Sequence, residues 1–202
     1  LFRSLAYEAV KPSRSGASSV GDGLVQRMEV RADASFLHVD ISLARPIDFQ
    51  AEQLLIGIDT LYRDRGELTY APLLDHLAPS GMEYLVVLDS FEASRLLALK
   101  EANYTAYRFS TSTGLRTAGL FEPMRKLINK ERKLLDGTVI HPKYEDASLL
   151  RFGSLEGNTN HWTIEGTALS VRIPWTRINV SDVSSAQVLD DERTYYSDPL
   201  RD

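Results

Sequence analysis

Between Val25 and Leu43 the chain alternates so regularly that a strand pair is the natural reading. In VQRMEVRADASFLHVDISL, Met28 and Val30 share one face of a first strand, while Leu37, Val39, Ile41 and Leu43 share one face of a second. Arg27, Glu29 and Arg31 fall on the opposite face, as do His38, Asp40 and Ser42. Successive side chains of a strand point to opposite faces, so a period of two spells antiparallel strands with one dry and one wet side. The turn falls at Asp33-Ala34-Ser35. A one-residue slip would drive arginine and glutamate into the core, which fixes the register. The rest of the chain must cover the dry face.

Other stretches read the same way. Gln53 to Thr60, Glu83 to Asp89, Arg95 to Lys100, Tyr104 to Phe109 and Leu149 to Phe152 are short apolar strands. Trp162 to Glu165 and Ala168 to Pro174 form a hairpin about Gly166. Residues 1 to 9 read as an edge strand or lead-in arm, and 61 to 81 as a long charged loop. Phe121 to Leu135 departs from this pattern. Phe121, Met124, Leu127, Ile128, Leu134 and Leu135 recur at threes and fours, Pro123 fits a first helical turn and Gly137 a stop, which predicts a helix. The expectation is all-β: one domain over 1–202, an antiparallel β-sandwich, jelly-roll-like, with one helical insertion at about 110–148.

Composition narrows the function. The net charge of −5 opposes a nonspecific nucleic-acid binder, which needs a basic face to neutralise phosphates. No apolar run reaches the roughly 18 residues of a membrane span. With no cysteine, the chain has no disulfide and no thiolate ligand. It opens on Leu1 rather than Met and has no leader-like apolar core, which suggests a processed protein or a piece of a longer one. HExxH, GxSxG and phosphate-binding glycine motifs are all missing, and the histidines are scattered.

The strands VRADASFLHVDISL, QLLIGIDT and EYLVVLD, with the closing strand ALSVRIPWTRI, resemble the family 9 carbohydrate-binding module and the related DOMON-type domains. Asp33, Phe36-Leu37-His38-Val39, the strand ending at Asp59 and Ile173-Pro174-Trp175 stand at the matching places, over roughly Val25 to Trp175. His38 replaces the usual tyrosine of the first hairpin. The resemblance implies a β-sandwich, often appended to secreted enzymes, that binds sugar or haem, with a structural calcium in some members.

Candidate contacts follow from residue type. Trp162 lies among Asn158, Asn160 and His161, and an indole beside amides can stack on a sugar ring while the amides bind its hydroxyls. The competing reading places the same residue in the core. Tyr62, Tyr70, Tyr104 and Tyr107 either line a groove or cover sheet faces. Asp59, Asp64 and Glu67 lie across one loop, and loop carboxylates are what calcium takes. Arg63 and Arg65 could instead neutralise them. A structural calcium is the one cofactor suggested.

The reading is a noncatalytic carbohydrate-binding accessory domain of a larger exported protein, extracellular or at the cell surface. Its partners would be an oligosaccharide or polysaccharide and another domain of the same parent protein. The alternative is a structural or protein-interaction sandwich docking onto a neighbouring catalytic domain. A glycoside-processing enzyme comes third.

Overall fold

The structure, a computed structural model, describes residues 5–11, 19–20, 23–60, 66–69, 77–99, 121–184 and 187–188. In chain order its strands are β1 (Leu5–Lys11), β2 (Ser19–Val20), β3 (Val25–Ala32), β4 (Phe36–Leu43), β5 (Gln53–Ile58), β6 (Glu67–Thr69), β7 (Leu77–Met82), β8 (Tyr84–Leu88), β9 (Arg95–Leu99), β10 (Phe121–Pro123), β11 (Arg125–Asn129), β12 (Arg132–Lys133), β13 (Val139–Ile140), β14 (Lys143–Asp146), β15 (Trp162–Glu165), β16 (Ala168–Pro174), β17 (Val180–Asp182) and β18 (Gln187–Val188). A 3-10 turn, Trp175–Ile178, follows β16. The protein is all-β, in antiparallel sheets.

A four-stranded sheet has the order β15-β16-β4-β3, and a six-stranded sheet the order β10-β9-β8-β5-β1-β2. The alternation of β4 does what its pattern requires: Leu37, Val39, Ile41 and Leu43 are all buried. Leu169, Val171 and Ile173 of β16 join them, because β16 pairs with β4 in a register that sets Val171 opposite Val39. The larger sheet contributes Leu54, Ile56, Ile58, Tyr84, Val86, Leu88, Leu96 and Ala98 to the same core. Its intervening residues Leu55, Leu85 and Val87 also lie buried, with Met82, in a second cluster on the other face. Central strands dry on both sides read as nearly continuous apolar runs. β3 is an edge, and there Val30 is left exposed.

Two expectations are corrected. Within the stretch 61–81, read as loop, residues 67–69 and 77–81 lie in strands, β6 and β7, which pair with each other. The expected helix from Phe121 to Leu135 is a series of strands. Phe121 pairs with Leu99, and β11 to β14 form a two-stranded ribbon that turns at Leu134 to Thr138. An irregularity between Leu127 and Asn129 offsets the alternation. One extra residue in a strand turns a spacing of two into three, which imitates a helical period. Gly137 does adopt a positive φ of 86°, but in the ribbon tip rather than at a helix end.

Candidate functional site

The residues that carry the resemblance are brought together as a clasp. Asp33 Oδ1 accepts from the backbone N–H groups of Ser35 and Phe36, each at 2.7 Å, which closes the β3–β4 turn. Asp33 Oδ2 faces His38 Nε2 at 2.7 Å. The Trp175 indole donates to the Asp33 carbonyl at 2.8 Å, tying the 3-10 turn to the hairpin. The His38 hydrogen bond, followed by the two backbone donors, holds the Asp33 carboxyl down at about 2. Within the motif, Asp33 thus closes the turn and Trp175 joins two segments.

Trp162 is not the exposed stacking residue its neighbours suggested. Its indole is 0% exposed and donates to the Leu150 carbonyl at 3.2 Å. In β15 it stands opposite Val171, so its side chain follows the dry face. The open rings lie over it. Phe91 stacks on Trp162 at 5.9 Å and 11°, Phe152 meets it edge-on at 4.9 Å, and Phe49 does so at 5.6 Å. Phe91 and Phe152 are 4.5 Å apart and remain 51% and 37% exposed. A partly open aromatic platform therefore rests on a buried one. Offset and edge arrangements of this kind suit the quadrupoles of the rings.

Both supports of the platform are hydrogen-bonded in place. Phe91 sits in the β8–β9 turn, where Ser94 Oγ donates to the Ser90 carbonyl at 2.6 Å and accepts from Asp89 N at 3.2 Å. Phe152 belongs to the segment that bridges to Trp162, next to the loop 154–161. That loop is held by Arg172, which is buried on β16. Its guanidinium donates to the carbonyls of Asn160 at 2.8 Å and Leu155 at 2.9 Å, and to that of Gly157. Asn160, a candidate sugar contact, spends its amide on the Ser154 carbonyl at 3.0 Å. It also packs on Gly153, where φ is 143° and a Cβ would stand 2.5 Å from its nitrogen.

His161, the other polar candidate, is half-buried, and its Nδ1 accepts from Arg151 N at 3.1 Å. Burial, then the charges of Arg177, Arg151 and Arg172, lower its pKa to about 4. The ring is neutral at pH 7. Accepting at Nδ1 places its proton on Nε2, as a donor.

Tyr62, Tyr70, Tyr104, Tyr107 and Asp64 lie outside the described residues. Asp59 and Glu67, expected on an open metal loop, are both buried. Glu83 is buried as well, and accepts from Thr60 N at 2.7 Å. Among the described residues no group of three or more acids and histidines is placed to hold a metal.

Reasoning from sequence missed Phe91 and Phe152. The signal for Phe91 was present, since SFEAS is a tight turn and a bulky aromatic there has no sheet face to cover. Phe152 had no comparable local mark. Among the described residues no helix is long and apolar enough to cross a membrane. No protein-family model matches this chain, and neither the curated proteins nor the solved structures include one similar to it.

Proposed function

We propose that this chain is a noncatalytic carbohydrate-binding accessory domain of a larger exported protein, a jelly-roll-like β-sandwich akin to the family 9 carbohydrate-binding module and DOMON-type domains. One observation carries the reading: Phe91 and Phe152 hold two adjoining, half-open rings over a buried indole. An apolar sugar face lies flat on such rings, while water and nearby polar groups satisfy its hydroxyls. Preformed rings also avoid much of the ordering cost of binding.

The test is titration calorimetry against soluble plant and bacterial oligosaccharides. Phe91→Ala is the informative variant, because Phe91 is exposed enough to be removed without emptying the core. Binding that weakens about tenfold in Phe91→Ala, while the far-ultraviolet spectrum is unchanged and the melting temperature falls by only a few degrees as Trp162 loses its cover, supports the platform as the site. Trp162→Ala would open a core cavity instead and would not discriminate. No binding across the panel, or binding indifferent to both Phe91→Ala and Phe152→Ala, overturns the reading.

A second reading, a protein-interaction domain, is favoured by the exposed apolar side chains of the β11–β14 ribbon.

A further inference from the structure

The two larger sheets end in the edge strands β10, β2, β15 and β3. β10 and β2 are short, at three and two residues. β15 is covered: His161 N donates to the Arg151 carbonyl at 2.7 Å, and Phe152 bridges to Trp162. β3 differs, with eight residues and, among the described residues, no strand on its outer side. Long edges are ordinarily blunted by proline, a bulge or an inward-pointing charge. β3 has an irregularity at its start, between Val25 and Arg27. From Met28 to Ala32 it runs regularly, without proline, and its charges Glu29 and Arg31 lie on the wet face.

The backbone of that stretch is turned outward in a definite pattern. Asp33 N donates to the Phe36 carbonyl at 3.0 Å, which makes Asp33 and Phe36 a hydrogen-bonded pair. Such pairs alternate with non-hydrogen-bonded ones along an antiparallel ladder. The register is regular from Arg27–Ser42 to Ala32–Leu37, so Met28, Val30 and Ala32 fall in the second kind. Their N–H and C=O groups face away from β4. The far side of β4 has the matching phase, since Leu43 N donates to the Thr167 carbonyl at 2.8 Å.

The charges along β3 select what pairs there. They are antisymmetric about Val30: Glu29 stands just before it and Arg31 just after, Arg27 three residues before and Asp33 three after. An antiparallel copy of the same strand centred on Val30 sets Glu29 against Arg31 and Arg27 against Asp33, all on one face. These side chains are open, at 72% exposure for Arg27, 64% for Arg31, 52% for Asp33 and 47% for Glu29. On the other face Val30 meets Val30, which covers an apolar side chain that one copy leaves 38% exposed. Neighbouring registers are worse. An axis at Glu29 opposes that residue to itself and Arg27 to Arg31, and an axis at Arg31 opposes Glu29 to Asp33. An axis at Met28 keeps only Arg27 against Glu29.

We propose that β3 is a self-pairing edge, through which two copies of this chain join antiparallel about a two-fold axis at Val30. The pairing continues the four-stranded sheet of one copy into that of the other. The inference goes beyond the carbohydrate reading and draws on neither the aromatic platform nor the ribbon.

Sedimentation equilibrium of the full chain over a wide concentration range should show a monomer–dimer equilibrium. Glu29→Arg brings like charges together across the axis and should weaken it at least about tenfold. Within its own chain position 29 lies opposite Asp40, so the new arginine does not endanger the fold. Arg31→Glu should weaken the dimer likewise. Mixed together, these two variants regain opposite charges at every facing position, and a heterodimer should form. Val30→Pro removes an N–H that β4 does not use and should abolish pairing with no change of charge. It also keeps the test decisive should Arg31→Glu, which gives up the bonds to Asp40, fail to fold. The far-ultraviolet spectrum of each variant at dilution reports its fold. A monomer at every concentration, a dimer indifferent to Glu29→Arg or Val30→Pro, or a mixture of folded variants that stays monomeric each overturns the proposal.

Discussion

His161 is a half-buried imidazole among three arginines, and this sets how the protein should respond to acid. Its folded pKa, about 4, lies below the ordinary value of 6.5, burial being the larger cause. Between those values the unfolded chain binds a proton that the folded chain refuses, so stability rises with pH across the window. The contribution is complete above 6.5 and is lost as pH falls through about 4. Discounted for a ring that is half open, the loss is on the order of 1 kcal/mol. Thermal melts at pH 7 and pH 4.5 should show His161→Gln losing less stability than the parent; equal losses would refute the assignment. Asp33 acts in a lower window, since its carboxyl is held near 2 against 3.8 and its contribution disappears only as pH falls through about 2. Arg172 is a different case. Its charge is met by three backbone carbonyls, and Arg172→Met would leave them without their donor. Unfolding by urea should show a loss of about 3 kcal/mol. Arg172→Lys should recover only part of it, because an ammonium donates from one nitrogen and cannot reach all three carbonyls that the separate guanidinium nitrogens meet.

At the scale of the element, the β3–β4 hairpin and the ribbon show what a local pattern can and cannot specify. Leu37 to Leu43 was legible because one face is buried and the other wet, so the period of two survives in the side chains themselves. The hairpin turn was legible for a related reason: Asp33 bonds to the backbone two and three residues ahead, which is local chemistry. Asp33→Ala should lower the melting temperature by a few degrees while leaving the strands paired, as seen in the far-ultraviolet spectrum; an unchanged midpoint would show that the backbone bond from Asp33 N to the Phe36 carbonyl and the contacts of Trp175 suffice to hold the turn. The ribbon misled because its two faces are alike, which erases the alternation and leaves the irregular spacing at Leu127 to Asn129 to look helical. Trp162 misled for a non-local reason. Asn160 and His161 beside it do reach polar surroundings, but its ring is taken inward by the pairing with Val171 and capped by Phe91, a residue 71 positions away in the chain. Nothing in the sequence near Trp162 encodes that cap.

At the scale of the whole molecule, the two clusters of buried side chains divide the protein by local stability. β5 and β8 have Leu54, Ile56, Val86 and Leu88 in the core shared with β4 and β16, and Leu55, Leu85 and Val87 in the cluster on the other face. Their ladder can open only if apolar surface on both sides is wetted together. β3 has one edge and an exposed Val30, and the ribbon has two edges and almost no buried side chain. Because amide exchange follows the free energy of the smallest opening that frees each N–H, protection should fall in that order. Hydrogen exchange on the dilute chain is expected to find the slowest amides in Leu54–Ile58 and Tyr84–Leu88, intermediate ones in β3, and the fastest among strands in residues 125–146. If the amides of 125–146 are instead as slow as those of β5 and β8, burial does not set the order of opening and the ordering fails.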